Sequence, residues 1–206
     1  MNVFLMANWG MGLELLKTLM RHPSVRYLIV LTRYNPKSVD CWENAVYEYS
    51  MEQNYETIIE NTCSFEEIRA CIIDKNIDLT ITHAYMKILP EWIFNLPPLG
   101  SINIHASLLP KYRGASPAYW VLKNREKESG LTCHYIDQGV DTGDIIHQVK
   151  FTIEHDDTVS SIIEKGKRHI PELMDHVLHM IKNPDFIPEK QDENQASYAP
   201  KNEELL

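Results

Sequence analysis

Between residue 2 and about residue 105, short apolar runs alternate with stretches whose apolar residues recur every three or four positions. That alternation restricts the fold more than any other feature of the chain. Residues 2–7, with Val3, Phe4, Leu5 and Met6 in succession, read as a strand, and Leu13, Leu15, Leu16, Leu19 and Met20 follow at helical spacing. A second strand is expected over 26–31, after the break at His22-Pro23, and another over 79–82. Ser64 and Glu67 match a capping box ahead of Ile68, Cys71 and Ile72, so a helix should run to about Lys75. Trp42, Val46, Tyr47 and Tyr49 suggest a short aromatic-rich helix, and 91–95 another. Strands separated by helices in this way give an α/β domain with a mostly parallel central sheet flanked by helices. Right-handed crossovers then place the working crevice at the carboxyl ends of the strands.

The first strand passes to the first helix through Asn8-Trp9-Gly10-Met11-Gly12. G-x-G without a third glycine falls short of a dinucleotide fingerprint, so the glycines read as a tight turn. Amides at the start of the following helix can meet an anion, which makes Asn8, Trp9 and Gly10 candidate contacts for a substrate. Trp9 is suited to stacking on a base or sugar, or to covering the sheet edge.

Twenty basic against twenty-nine acidic residues give a net charge of −9, which opposes the phosphate-neutralising surface that nucleic-acid binding needs. No run approaches the roughly 18 apolar residues of a membrane helix, and no basic leader precedes the first apolar segment, so the expected compartment is the cytoplasm. Cys41, Cys63, Cys71 and Cys133 form no C-x-x-C pair and read as free thiols.

Polar chemistry is concentrated in 101–148. Asn103 and His105 lie two apart among Ile102, Ile104 and Ala106, so on a strand both side chains face the same way. An amide can donate to an oxygen that gains charge, an imidazole near neutral pKa can stabilise or shuttle a proton, and a carboxylate can orient that imidazole. This is the minimum equipment for acyl transfer to an amine. The loop 137–144 supplies Asp137, Asp141 and Asp144, and spacing alone does not choose among them. No G-x-S-x-G elbow is present, so direct attack by a substrate amine fits better than a covalent acyl-enzyme. Lys111, Tyr112 and Arg113 are candidates to clamp an acceptor's phosphate. A helix is expected over 115–124 and strands over 131–136 and 145–149. Helical spacing then runs from Thr158 to Ile181, with Pro171 expected to kink or divide the helix. Residues 1–187 make the catalytic domain on this reading, and 188–206 an extended polar tail.

Asn103-Ile-His105 followed by Ala-Ser-Leu-Leu-Pro-Lys-Tyr-Arg-Gly, with Asp137-x-Gly-x-Asp141-x-Gly further along, resembles the signature of the formyltransferase family that uses 10-formyltetrahydrofolate. The resemblance covers about residues 1–182 and implies a Rossmann-like catalytic domain without a metal. It implies Asn103, His105 and Asp141 as the catalytic residues. It also implies a folate pocket lined by Met86, Lys87, Ile88 and Leu89, with the backbone of Asp137, Gly139 and Val140 meeting the pterin ring. In the mechanism it implies, the substrate amine attacks the formyl carbon while Asn103 and His105 stabilise the tetrahedral oxyanion. Asp141 holds His105 and helps relay the proton.

The wording of the motif is closest to family members that formylate methionyl-tRNA. Those members continue into a C-terminal barrel and carry a basic insertion after the second strand, where this chain has only Arg33 and Lys37 beside Asp40, Glu43 and Glu48. Members that act on glycinamide ribonucleotide carry a Gly-Ser-Asn phosphate loop, where this chain has Asn8-Trp9-Gly10. The expected acceptor is therefore the amino group of a nucleotide-linked amino sugar, as in bacterial surface-glycan biosynthesis. The partner is then a small molecule, not a nucleic acid or a membrane, and a homodimer is compatible with this. Two hydrolases are the rival readings. A metal-dependent one would draw on His105, His134, Asp141, Asp144 and His147, but lacks H-x-x-x-H or H-E-x-x-H spacing; His134 and His147 read more simply as surface or core histidines. A formyltetrahydrofolate hydrolase would run without any amine.

Overall fold

The computed structural model describes residues 1–201, and the chain forms two compact units, Met1–Ile102 and a second that begins at Asn103. The first contains β1 (Asn2–Ala7), α1 (Trp9–Arg21), β2 (Tyr27–Thr32), α2 (Ala45–Glu52), β3 (Glu56–Ile59), α3 (Phe65–Asp74), β4 (Leu79–His83), α4 (Glu91–Phe94) and the opening residues of β5 (Ser101–His105). Its strands run in the order β3-β2-β1-β4 and then β5. β1 is parallel to both β2 and β4, and β2 to β3. Val3 to Ala7 and Ile29 to Leu31 have no exposed surface, as expected of parallel strands covered on both faces. The α/β class with a mostly parallel sheet flanked by helices is therefore the class this chain adopts.

Ser64 and Glu67 form the expected capping box, each side chain bonded to the other's backbone N–H. β3 was not expected: it is short, only partly buried, and carries one charged and one polar residue in four. The Gly10-Gly12 turn is corrected. Both glycines lie inside α1, and Trp9, at φ 66°, makes the turn. The glycines serve packing instead, since a Cβ on Gly12 would lie 3.1 Å from that of Ala7.

The second unit takes the closing residues of β5, then β6 (Arg113–Gly114), α5 (Pro117–Lys123), β7 (Glu128–Tyr135), β8 (Ile145–Thr152), α6 (Val159–Met180) and β9 (Tyr198–Ala199). β5 is followed in sheet order by β7 and then β8, and β7 and β8 are antiparallel. α6 buries Ile162, Ile170, Leu173, Met174, Val177 and Leu178 and packs against β7 and β8. It continues through Pro171 undivided: the apolar stripe is continuous on both sides of the proline, and its burial outweighs the one missing N–H. No helix among the described residues is long and apolar enough to cross a membrane.

Among the described residues after Ile187, a 3-10 turn at Glu193–Gln195 interrupts the expected extended tail, and the segment does not trail free. β9 pairs in parallel with β6, and Ala199 is buried. Gly130 in β7 permits a close backbone approach, because a Cβ there would sit 2.1 Å from the Val149 carbonyl oxygen. Gly130→Ala is expected to cost about 1–3 kcal/mol through overpacking, read as a Tm several degrees lower.

Candidate active site

β5 places Asn103 and His105 two residues apart, and the loop between β7 and β8 brings Asp141 to both. Asn103 Nδ2 donates to Asp141 Oδ1 at 3.2 Å and lies 3.2 Å from His134 Nε2. Because a carboxylate accepts only, it is the amide nitrogen of Asn103 that faces this pair. Asp141 Oδ2 accepts the Gly114 N–H at 2.8 Å and lies 3.5 Å from His105 Nδ1. His134 Nε2 stands 3.5 Å from Asp141 Oδ1.

The two histidines hold opposite tautomers when neutral. His105 Nε2 is 2.8 Å from the Tyr112 carbonyl, an acceptor, so the proton is on Nε2 and the bare nitrogen is Nδ1, toward Asp141. His134 Nδ1 is 2.8 Å from the Tyr135 carbonyl, so its bare Nε2 accepts from Asn103. Burial lowers the pKa of His105 from its usual 6.5, against the opposing pull of Asp141 and the Tyr112 carbonyl. Burial also acts to raise Asp141, yet His134, His105 and the Gly114 N–H together bring it down to about 2. The cluster at neutral pH is thus a carboxylate facing a neutral imidazole whose free nitrogen is turned to it. That arrangement can accept a proton and hold the resulting imidazolium as an ion pair.

The remaining expected residues have varied surroundings. The Asp137 carboxylate accepts the Gly139 N–H at 3.1 Å and the Thr142 hydroxyl at 2.6 Å, which shapes the loop from within and leaves Val140 exposed. Asp144 uses its carbonyl to accept the Tyr135 N–H. Lys111 is exposed. Tyr112 is buried, with its hydroxyl donating to Glu126 at 2.6 Å. Arg113, expected to clamp an acceptor's phosphate, is 1 % exposed, and its guanidinium is directed to Gln191 and Glu193. His147 packs against His176 with the rings tilted by 37° and their centroids 4.8 Å apart.

In the first unit, Met86 and Ile88 are exposed, Leu89 is buried, and Lys87 Nζ donates to the Glu60 carbonyl at 3.1 Å. Asn8, an expected substrate contact, is 1 % exposed. It pins the point where the strand order reverses: its N–H bonds His83 O, its Nδ2 bonds Ala84 O and Glu60, and its Oδ1 accepts from Thr32 and the Arg33 N–H. Gly10 faces the Trp42 ring.

Gly114 and Gln191 were not singled out by the sequence, and His134 only as a ligand in the rival metal-dependent reading. His134 had one available signal, its place on a strand beside the loop that carries the aspartates. Gln191, one of three amides in a polar stretch with Asn194 and Gln195, had none.

The formyl transferase family is matched over residues 42–178. The methionyl-tRNA formyltransferase of Caldanaerobacter subterraneus subsp. tengcongensis is 45% identical over 125 residues, 61% of this chain and 40% of that protein. That of Acetivibrio thermocellus is 36% identical over 155 residues, 75% of this chain and 50% of its own length. The chain thus spans half or less of these curated relatives. Among solved structures, an N-formyltransferase from Helicobacter canadensis, in complex with folinic acid and dTDP-3-aminofucose, superposes with a TM-score of 0.76 at 24% identity, covering 97% of this chain and 70% of that one. A phosphoribosylglycinamide formyltransferase from Anaplasma phagocytophilum gives 0.75 at 23% identity, covering 94% and 95%. These two share its fold.

Proposed function

The chain belongs to the formyl transferase family, and from that premise we propose that it transfers a formyl group from 10-formyltetrahydrofolate to a primary amine by direct attack of that amine. The observation that carries this is the convergence of Asn103, His105 and Asp141 with a bare His105 Nδ1 facing a carboxylate 3.5 Å away. The folate supplies an activated formyl group. His105 Nδ1 takes the proton that the amine must lose, and Asp141 stabilises the imidazolium so formed. The Asn103 amide donates toward oxygen that gains negative charge; in this structure its two protons lie toward Asp141 and His134, so either hydrogen bond can be exchanged for that one. Folate contacts are assigned to Met86, Lys87, Ile88 and Leu89 and to the backbone of Asp137, Gly139 and Val140. Exposed Met86, Ile88 and Val140 have the apolar character an aromatic pterin ring takes.

For the acceptor we propose the amino group of a nucleotide-linked amino sugar, within the cytoplasm. Charge supports a small acceptor: a net −9 repels a polyanion such as tRNA. Lys111 and Trp9 remain the candidate acceptor contacts. A second reading, formylation of methionyl-tRNA, has its own support in the 45% identity to an enzyme of that name. Incubation with 10-formyltetrahydrofolate and a panel of amino sugar nucleotides, glycinamide ribonucleotide and charged initiator tRNA separates them. Formylation of a sugar nucleotide is expected; formylation of the tRNA alone would overturn the choice of acceptor.

His134 holds the Asn103 amide from behind, so it acts here as a positioning residue. His134→Leu removes the hydrogen bonds to Asn103 and to the Tyr135 carbonyl; loss of the one to Asn103, about 1 kcal/mol, should lower kcat about fivefold to tenfold. An unchanged kcat would remove His134 from the mechanism.

A further inference from the structure

Asp141 has φ 54°, a left-handed backbone uncommon for residues with a side chain, though Asp tolerates it better than most. Its carboxylate is held by Gly114 and Asn103. Its main chain is held by a residue from the far end of the chain: Gln191 Nε2 donates to the Asp141 carbonyl at 2.9 Å and to the Gly143 carbonyl at 2.7 Å. The opposite end of the same amide, Oε1, accepts from Arg113 Nε at 3.0 Å and Nη2 at 2.8 Å. Two carbonyls only accept and a guanidinium only donates, so one orientation of the Gln191 amide satisfies all four bonds. Arg113 is itself fixed, being buried and ion-paired with Glu193. The next residue, Gly114, gives its N–H to Asp141 Oδ2. The dipeptide Arg113-Gly114 therefore grips Asp141 twice, directly at the carboxylate and through Gln191 at the backbone.

We propose that Gln191, aligned by Arg113, is a positioning residue that fixes Asp141 against His105, which makes the segment after α6 a working part of the site. The catalytic consequence rests on the role given to Asp141 in formyl transfer; the geometric one does not.

Gln191→Glu separates the two halves of the bridge. It keeps oxygen toward Arg113 but sets a second oxygen, in place of the donor, against two carbonyls. The expected result is a kcat lower by about tenfold to a hundredfold. Hydrogen exchange of the 137–144 backbone amides should quicken, and the His105 ring titration followed by NMR should move to lower pH as the carboxylate loosens. Gln191→Met, which keeps the length and drops the hydrogen bonds, should give the same pattern. A lower Tm with unchanged loop exchange and unchanged His105 titration in both Gln191 variants would overturn the proposal, leaving Gln191 a structural residue only. Faster exchange and a shifted titration in a protein whose wild type formylates no amine would uphold the bridge and contradict the functional reading instead.

Discussion

Replacing His105 by alanine is expected to lower kcat for formyl transfer by about 10²- to 10⁴-fold, the usual range for loss of a positioned proton acceptor. No other group stands where its Nδ1 stands: His134 turns its bare nitrogen to Asn103, and Asp141, at about 2, is too weak a base to take a proton from an amine. The substitution also leaves the Tyr112 carbonyl without its imidazole N–H, a cost of about 1–3 kcal/mol, so the variant should remain folded by circular dichroism while its Tm falls. Wild-type turnover in a folded variant would contradict the role of His105. Because burial holds His105 below its ordinary 6.5, the neutral form persists below that pH, and the acid limb of kcat/KM in the wild type is expected there.

Asp141→Asn is expected to lower kcat by about 10²- to 10³-fold, although it changes few atoms. The two carboxylate oxygens accept from Asn103 and from the Gly114 N–H. An asparagine must set its NH2 against one of these donors, and it no longer offers a charge to the His105 imidazolium. Stability carries a second signature. The Asp141 carboxyl is held at about 2 against an ordinary 3.8, so its charged form stabilises the fold by about 2 kcal/mol above pH 3.8, and that contribution is lost as pH falls through 2. The stability gap between wild type and Asp141→Asn should therefore narrow between about pH 5 and pH 2 in denaturant titrations. A gap that stays constant with pH would show that the charge of Asp141 is not what the fold stabilises.

Much of this site could be read before any coordinates. Asn103 and His105 were legible because a strand repeats every two residues, so a polar pair among isoleucines had to share a face. Asp141 was legible only through the family resemblance. The structure supplies a physical contrast that spacing lacked: Asp137 folds onto its own loop, while Asp141 accepts from outside it. The central parallel strands were legible because they are continuous apolar runs, whereas β3, short and half-exposed, carried too weak a pattern. Asn8 and Arg113 have partners that spacing could not show. A polar residue beside a motif looks available to a ligand, and only the fold reveals that each is already saturated by residues distant in sequence, Asn8 by Thr32, Glu60 and Ala84, and Arg113 by Gln191 and Glu193. Gln191 could not have been found at all, because one amide among several in a polar segment has no period, cap or spacing to mark it.

Single-turnover mixing of the protein with 10-formyltetrahydrofolate and an amino sugar nucleotide, followed by mass analysis of both products, tests formyl transfer most directly. The predicted result is N-formylated sugar nucleotide and tetrahydrofolate in equal amounts, with the folate left intact when the amine is omitted. Release of formate at the same rate with and without the amine would contradict it.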